Sequence, residues 1–375
     1  MQRRQQLGKT KRLVVKVGTS LLTAGGGEPD QSFMAKLAAE VAEQRRAGRE
    51  VILVTSGAIG MGLSVMRLQE RPRTIPGKQA LAAIGQPHLM RVYAQVFGQE
   101  QLTTAQVLLT SDDIHDRQRY AHARAALEEL LRLGVVPVFN ENDTVAVDEI
   151  KFGDNDTLSA HVTNLARADL LVILTDVAGL YDANPAERPD ACLQHEVDAV
   201  DRCVEEMAAG PGTALGTGGM VTKVRAAKMV TGMGEKMAIA DGRQPKVLAR
   251  LLAGERLGTV FFPQGDKLAS RKRWIAYALR RRGAVVLDAG ASAALKQRGK
   301  SLLPSGVKAV EGRFKQGDCV GVKDEHGREF ARGLVNYGAE EIQKLCGAKS
   351  SQIEDILGYK NADEIIHRDD LALLG

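Results

Sequence analysis

Short apolar runs rich in β-branched residues recur through the first half of the chain and alternate with helical patterns. They lie within residues 12–20, 50–60, 105–110, 135–139 and 169–176. Strands that alternate with helices in this way pair side by side as a parallel sheet, because each helix returns the chain to the same edge. We therefore predict an α/β fold with an open, mainly parallel sheet sandwiched by helices.

Composition narrows the class of protein. A length of 375 residues suffices for two domains, and 44% hydrophobic with 26% charged residues is typical of a globular protein. The net charge of +5 does not indicate nucleic acid as a partner of the whole chain. The four cysteines include no C-x-x-C pair, so neither a zinc site nor a disulfide framework is predicted. With no 18-residue apolar run, we expect a cytoplasmic protein.

A dense polar cluster follows the run at 135–139. It comprises Asn140, Asn142, Asp143, Asp154, Asn155 and Asp156. A helical pattern begins directly after it, so one of the last three of these residues is placed to cap that helix. Open α/β sheets bind ligands at the carboxyl ends of their strands, which predicts a binding site here. The alternative is a solvated acidic loop with ordinary helix caps.

A lysine interrupts the first apolar run. Burying the ammonium of Lys16 is costly unless it meets an anion, and Gly18 just after it permits close backbone approach. Together they are typical of a phosphate-binding turn, although a lysine on an edge strand facing solvent would show the same pattern. Neither the P-loop motif nor the dinucleotide-binding fingerprint occurs.

Further candidate anion sites follow other runs. Residues 56–60 form a Ser- and Gly-rich turn whose N–H groups suit a carboxylate or phosphate, and Thr175 with Asp176 closes a strand. The Gly-rich stretch 212–223 precedes a helix that carries Lys223 and Lys228, an arrangement suited to polyphosphate. Ordinary turns, or a surface loop before an ordinary helix, are the alternatives. The small residues of 77–85 predict close helix packing, within the chain or between subunits.

This combination of side chains favours phosphoryl transfer. Lys16 and Lys223 would flank the carboxylate cluster and stabilise charge on the oxygens of a transferred phosphoryl group. None of these motifs contains a histidine to act as a general base. A carboxylate acceptor needs none, since with a pKa of about 4 it is already anionic at neutral pH. Formation of an acyl phosphate is therefore favoured over phosphorylation of an alcohol.

The motifs resemble those of the amino acid kinase family, in particular its bacterial glutamate kinases. The matching segments are 16–20, 54–60, 140–143, 152–159, 174–176 and 216–223. The resemblance implies ATP-dependent phosphorylation of the side-chain carboxylate of L-glutamate with Mg²⁺. The product would be γ-glutamyl phosphate, in the first step of proline biosynthesis. It also implies proline as a feedback inhibitor, a homo-oligomer (dimer or tetramer), and handover of the labile product to glutamyl-phosphate reductase.

The resemblance also implies roles for individual residues. Lys16 and Lys223 would stabilise the transferring phosphoryl group, and Asp156 would orient both lysines. Glutamate would be bound by Ser56, Asp143, Asn155 and Asn140, with Asp143 opposite the α-ammonium. ATP would be bound by Lys16, Thr175, Asp176, Thr217, Gly218, Gly219, Met220, Val221, Thr222 and Lys223. No residue is assigned to a metal ion.

The composition changes after residue 263. We predict a kinase domain at 1–263, a linker at 264–273 and a second, small β-rich barrel at 274–375, with strands near 283–287, 319–322 and 330–334. This barrel resembles the PUA domain, a fold known from RNA-modifying proteins. The basic residues of 271–273 and 280–282 suit either RNA phosphates or a solvated helix face, and no aromatic side chains are placed for base stacking.

Two other functions stay open at this point. One is an amino acid kinase that acts on aspartate or N-acetylglutamate; Asp143 argues against the acetylated substrate, because it implies a free α-ammonium. The other is an RNA-binding or regulatory protein with the kinase fold as a scaffold. Loss of Lys16, Lys223 or Asp156 would favour the scaffold, and all three are present.

Overall fold

The computed structural model describes most of the chain. The described residues are 3–23, 28–146, 154–185, 187–209, 219–263, 272, 275–276, 279 and 281–374. The chain divides into two compact units, one built mainly from residues 1–264 and the other mainly from 265–375. The boundaries predicted for the two domains and the linker stay predictions, and most of the linker lies outside the described residues.

The first unit contains an eight-stranded sheet. Its strands are β1 Arg12–Val17, β2 Glu50–Val54, β3 Thr104–Leu109, β4 Val136–Glu141, β5 Leu170–Thr175, β6 Glu196–Val197, β7 Lys236–Asp241 and β8 Thr259–Phe261. Their order is β3-β4-β2-β1-β5-β7-β8-β6. Neighbouring strands are parallel except for the antiparallel pair β7 and β8. The mainly parallel sheet predicted from the alternating patterns is confirmed.

Helices connect these strands. They are α1 Thr19–Leu22, α2 Gln31–Arg46, α3 Ala58–Val65, α4 Ile75–Gln99, α5 Ser111–His115, α6 Arg117–Arg132, α7 Asn155–Leu165, α8 Arg202–Ala209, α9 Met220–Gly232 and α10 Val247–Leu252, with a 3₁₀ helix at Arg4–Lys9. Among the described residues, no helix combines the length and hydrophobicity that a membrane span needs.

The position of Lys16 follows from the alternation of side chains along β1. Leu13, Val15 and Val17 belong to a core formed with residues of α2, α4 and α10. Residues in between point to the opposite face, where α7 packs against β1 and β5. Because β1 lies between β2 and β5, Lys16 is on a central strand and is 7% exposed. The alternative of a solvent-facing edge strand is therefore excluded.

Helices α3 and α4 pack unusually closely through two glycines. A Cβ atom added to Gly85 would lie 1.9 Å from the carbonyl oxygen of Ala58, and one added to Gly62 would lie 2.0 Å from that of Leu81. Both neighbours are backbone atoms, which cannot rotate away as a side chain can. The close packing predicted for residues 77–85 is thus present within the chain, and it fixes α3 directly after the turn at Ser56 and Gly57.

We expect the substitution Gly85→Ala to lower the free energy of unfolding by at least about 2 kcal/mol, because overpacking against backbone forces the two helices apart. The matched control is Gly98→Ala on the same helix, where an added Cβ meets nothing within 4 Å. That change should leave stability equal or raise it by about 0.5–1 kcal/mol, since alanine is the better helix former. Urea unfolding of both variants tests this, and equal midpoints would contradict it.

The second unit contains a five-stranded sheet ordered β10-β9-β11-β12-β13. Its strands are β9 Gly283–Leu287, β10 Val307–Gly312, β11 Cys319–Lys323, β12 Glu329–Leu334 and β13 Leu371–Leu373. Its other elements with described bounds are α11 Ala289–Arg298, α12 Ala339–Leu345, α13 Ile353–Leu357 and 3₁₀ helices at Pro304–Gly306, Ser350–Gln352 and Arg368–Asp370. The β-rich prediction is confirmed, but these α-helices were not predicted.

Candidate active site

A cleft of about 1080 Å³ opens at the carboxyl ends of the central strands. Its walls include Lys16 of β1, the turn after β2, the end of β4, Thr175 of β5, and Lys223 of α9. Strands that run parallel bring their carboxyl ends to one edge of the sheet, which is why motifs so far apart in the sequence meet here.

Asp156 lines the cleft and pairs with both of its lysines. The carboxylate of Asp154 accepts a hydrogen bond from the N–H of Thr157 at 2.7 Å and caps α7, which places Asp156 in the first turn. The Asp156 side chain is 1% exposed and binds two ammonium groups, with Lys16 Nζ 2.7 Å from Oδ1 and Lys223 Nζ 3.4 Å from Oδ2. The hydroxyl of Thr222 also donates to Oδ2, at 2.6 Å. The carboxylate therefore fixes both lysines relative to each other.

The charge of this group follows from the pKa of Asp156. Burial alone would raise this pKa, but the nearby ammonium groups of Lys16 and Lys223, with the hydroxyl of Thr222, lower it below its ordinary value of 3.8. The carboxylate is therefore ionised at neutral pH. Two ammonium groups with one carboxylate give this group of three side chains a net positive charge. Such a group attracts an anion with several oxygens, as a phosphate chain has.

The predicted polyphosphate segment is only partly described. Thr217 and Gly218 lie outside the described residues. Gly219 is exposed, Met220 and Val221 are half-buried, and Thr222 and Lys223 are buried in the first turn of α9. Of these five described residues, Lys223 alone lines the cleft.

Lys228, the other lysine that the sequence places on this helix, is not part of the site. Its ammonium lies 2.6 Å from the carboxylate of Glu205, and its side chain is exposed to solvent. The sequence alone did not show which of Lys223 and Lys228 lies in the site. A difference of five positions turns Lys228 to another face of α9.

The end of β5 contributes a second polar wall. The hydroxyl of Thr175 donates to Asp176 Oδ1 at 3.1 Å, and both residues line the cleft. Burial acts to raise the pKa of Asp176, but hydrogen bonds from its own N–H, Thr175 and Ser20 outweigh burial and lower it. Asp176 is thus a carboxylate acceptor at neutral pH in the same cleft as the two lysines.

The opposite part of the cleft is lined by amides. The side-chain nitrogen of Asn155 lies 2.7 Å from the carbonyl oxygen of Thr55, 3.0 Å from Ser56 Oγ and 2.9 Å from Asn140 Oδ1. Asp143 also lines the cleft. All four side chains predicted to bind glutamate, those of Ser56, Asn140, Asp143 and Asn155, therefore face one cavity.

Sequence reasoning missed some residues of this site. Arg67 and Arg71, which follow α3, line the cleft, and Gln86 of α4 contacts Asn140 from behind. The segment that contains Gln86 reads as a helix of small residues, and a lone glutamine there carries no signal. The hydroxyl of Thr222, which is predicted to bind ATP, donates to Asp156, and its role towards ATP stays a prediction.

The side chains that line the cleft determine whether a metal ion could bind there. In the described part of the chain, no group of three or more His, Cys, Asp or Glu side chains is placed to hold an ion. Mg²⁺ does not require such a group, because it is usually held by one or two carboxylates together with substrate phosphates and waters. Carboxylates such as Asp154 and Asp176 line the cleft, so its chemistry fits Mg²⁺ that arrives bound to a nucleotide.

Comparisons with known proteins identify the family of this chain. The model of the amino acid kinase family matches residues 11–241, and that of the PUA domain matches residues 283–357. The chain is 51% identical over 372 residues to glutamate 5-kinase of Citrifermentans bemidjiense, covering 99% of this chain and 100% of that protein. It is 51% identical over 368 residues to glutamate 5-kinase of Geobacter sulfurreducens, covering 98% and 99%. Glutamate 5-kinase of Anaeromyxobacter dehalogenans is 50% identical over 374 residues, covering 99% and 98%.

Proposed function

We propose how the cleft of this chain, which belongs to the amino acid kinase family and within it to the glutamate 5-kinases, phosphorylates glutamate. The reaction is ATP-dependent phosphorylation of the side-chain carboxylate of L-glutamate to γ-glutamyl phosphate, the first step of proline biosynthesis. The observation that carries the proposal is the pair of buried ammonium groups on Asp156, facing a wall of amides and carboxylates in the same cleft.

In the proposed reaction a carboxylate oxygen of glutamate attacks the γ-phosphorus of ATP. A bond forms between that oxygen and phosphorus, the bond from phosphorus to the β,γ-bridging oxygen breaks, and ADP leaves with the electron pair. Lys16 and Lys223 donate hydrogen bonds to the oxygens of the transferring group, where negative charge is concentrated. No general base is needed, because the attacking carboxylate is already ionised at neutral pH.

Asp156 has a positioning role in this scheme. Its two oxygens bind the two lysines separately, so the ammonium groups are held apart yet both face the cleft. An ammonium group held in advance loses little freedom when the phosphoryl group arrives, which favours the transition state. Bound Mg²⁺ would neutralise part of the phosphate charge.

The amide wall supplies recognition of glutamate. Asp143 would face the α-ammonium, and Ser56, Asn140 and Asn155 would bind the polar groups of the same substrate. Acetylation would remove the positive charge that Asp143 would face, which disfavours N-acetylglutamate. Aspartate has one methylene fewer, so its side-chain carboxylate would not reach the phosphoryl group when its ammonium is bound.

Other consequences of the resemblance stay predictions. These are inhibition by proline, homo-oligomerisation, handover to glutamyl-phosphate reductase, and location in the cytoplasm. The chemistry of the product supports the handover, because an acyl phosphate in water is attacked readily at its carbonyl carbon.

Trapping with hydroxylamine tests the proposed function. Hydroxylamine attacks the acyl carbon of an acyl phosphate and gives a hydroxamate, which is measured by its colour with iron(III). We expect hydroxamate with glutamate, dependent on ATP and Mg²⁺, and little or none with aspartate or N-acetylglutamate. Folded protein that yields no hydroxamate with glutamate would overturn the proposal, and a preference for another acid would overturn the substrate.

A further inference from the structure

Four side-chain amides form a continuous chain that leads away from the cleft, and we call it the amide chain. It consists of Asn155, Asn140, Gln86 and Gln106. The nitrogen of each donates to the carbonyl oxygen of the next, at 2.9 Å from Asn155 to Asn140, 2.8 Å from Asn140 to Gln86 and 2.9 Å from Gln86 to Gln106. Gln86 does not line the cleft, and Gln106 is exposed on the edge strand β3.

Backbone groups fix the direction of the amide chain. The carbonyl oxygen of Thr55 can only accept, so the group of Asn155 that faces it at 2.7 Å is the nitrogen. The N–H of Glu141 can only donate, so the group of Asn140 that faces it at 3.0 Å is the oxygen. The nitrogen of Asn140 must then face Gln86. This requires the carbonyl oxygen of Gln86 at that position.

Gln86 is held rigidly enough to support this orientation together with the N–H of Glu141. It is 8% exposed and lies between Gly85, which touches the backbone of α3, and Pro87. Without Gln86, the nitrogen of Asn140 would be buried without a partner, since Asn140 is 2% exposed. That costs about 1–3 kcal/mol. Rotation of the Asn140 amide would not relieve this penalty, because its nitrogen would then face the N–H of Glu141 and the nitrogen of Asn155. A shift of Asn140 towards another acceptor would instead weaken its hydrogen bond with Asn155.

The orientation of the Asn155 amide matters because it leaves the carbonyl oxygen of Asn155 as an acceptor at the cleft end of the amide chain. With its nitrogen turned to Thr55, Ser56 and Asn140, Asn155 has a buried carbonyl oxygen that meets no donor among the described residues. A buried acceptor of this kind requires a donor from a ligand. In the proposed function, which this step assumes, the donor at this end of the cleft is the α-ammonium of glutamate.

We infer that Gln86 is a positioning residue for substrate recognition. Through Asn140, and together with the carbonyl oxygen of Thr55, it helps to hold Asn155 in the orientation whose carbonyl oxygen accepts a hydrogen bond from the α-ammonium of glutamate. Gln86 would thus affect binding of the amino acid without touching it, and it would have no effect on the nucleotide. Gln106 supports Gln86 from the solvent side and contributes less, since water can replace it.

The test is the substitution Gln86→Met, which keeps the length of the side chain and removes its hydrogen bonds. We expect the KM for glutamate to rise about tenfold, which corresponds to about 1.4 kcal/mol, with the KM for ATP unchanged. Gln106→Glu keeps the acceptor for Gln86 and should behave as the wild-type protein does. Gln95→Met, at an exposed position of the same helix, is the matched control and should change neither constant.

Inhibition by glutarate distinguishes a specific loss of ammonium recognition from a general disruption of the site. It has both carboxylates of glutamate and no ammonium, so its inhibition constant against glutamate should be the same for wild-type protein and Gln86→Met. An unchanged KM for glutamate, or parallel rises in the KM for ATP and the inhibition constant of glutarate, would overturn the inference. Wild-type protein that phosphorylates no glutamate would instead overturn the proposed function, and this inference with it.

Discussion

Replacing Lys223 with alanine should lower kcat by about 10²- to 10³-fold, because one of two ammonium groups that face the transferring phosphoryl group is lost. Its ammonium lies 3.4 Å from Asp156 and the side chain is buried in the first turn of α9. The KM for glutamate should change far less, since the amide wall is untouched. Steady-state kinetics of hydroxamate formation measure both constants.

The matched control for this prediction is Lys228→Ala. Lys228 lies on the same helix but pairs with Glu205 in solvent. Its substitution therefore removes one positive charge from α9, as Lys223→Ala does, but leaves the residues of the cleft unchanged. Its kcat should stay within about twofold of the wild-type value, as expected for an exposed ion pair worth less than about 1 kcal/mol. Equal losses in the two variants, or wild-type turnover in Lys223→Ala, would contradict the role assigned to Lys223.

The substitution Asp156→Asn should have the second large effect. It keeps the shape of the side chain but removes the carboxylate that pairs with the buried ammonium groups of Lys16 and Lys223. Breaking a buried ion pair in this way costs about 3–5 kcal/mol. We expect the free energy of unfolding to fall by that order and kcat to fall by at least 10²-fold. Urea unfolding and the hydroxamate assay measure the two effects.

Asp30→Asn provides the control for Asp156→Asn. Asp30 caps α2 by accepting from the N–H of Phe33 at 2.9 Å, and asparagine caps a helix equally well. The same chemical change should therefore leave both stability and activity near the wild-type values. Comparable destabilisation of the two variants would show that loss of any helix-terminal carboxylate is enough, and that the bridge to the lysines is not the cause.

The effect on stability should depend on pH in a defined direction. The pKa of Asp156 is lower in the folded protein than its ordinary value of 3.8. Its ionisation therefore stabilises the fold fully above that value, and this contribution is lost as the pH falls through the lower pKa of the folded state. The difference in stability between wild-type protein and Asp156→Asn should be constant at neutral pH and shrink below about pH 4.

The sequence predicted the position of a site residue wherever a single local pattern was enough to determine it. A buried strand that ends in a lysine, and a strand followed by clustered carboxylates and amides, each indicate a position at the edge of the sheet. A parallel sheet then brings those positions together. This is why Lys16 and Asp156 could be placed in one site before their distance of 2.7 Å was known.

Features that depend on contacts between distant elements could not be predicted in this way. Gln86 matters only because α4 passes behind Asn140, and nothing near it in the chain reports that contact. The partners of Gly62 and Gly85 are likewise backbone atoms of another helix. In the second unit, short helices such as Ala339–Leu345 have too few turns for a clear periodic pattern.

The central claim is that a carboxylate oxygen of glutamate becomes bonded to the γ-phosphorus of ATP, and an isotope label follows that oxygen directly. Glutamate labelled with ¹⁸O in its side-chain carboxylate is incubated with the protein, ATP, Mg²⁺ and hydroxylamine. Hydroxylamine displaces phosphate from the acyl carbon together with the bridging oxygen, so each phosphate released with a hydroxamate should carry one ¹⁸O, seen by ³¹P NMR. Phosphate without the label would mean that water, and not glutamate, attacks ATP, and would contradict the account.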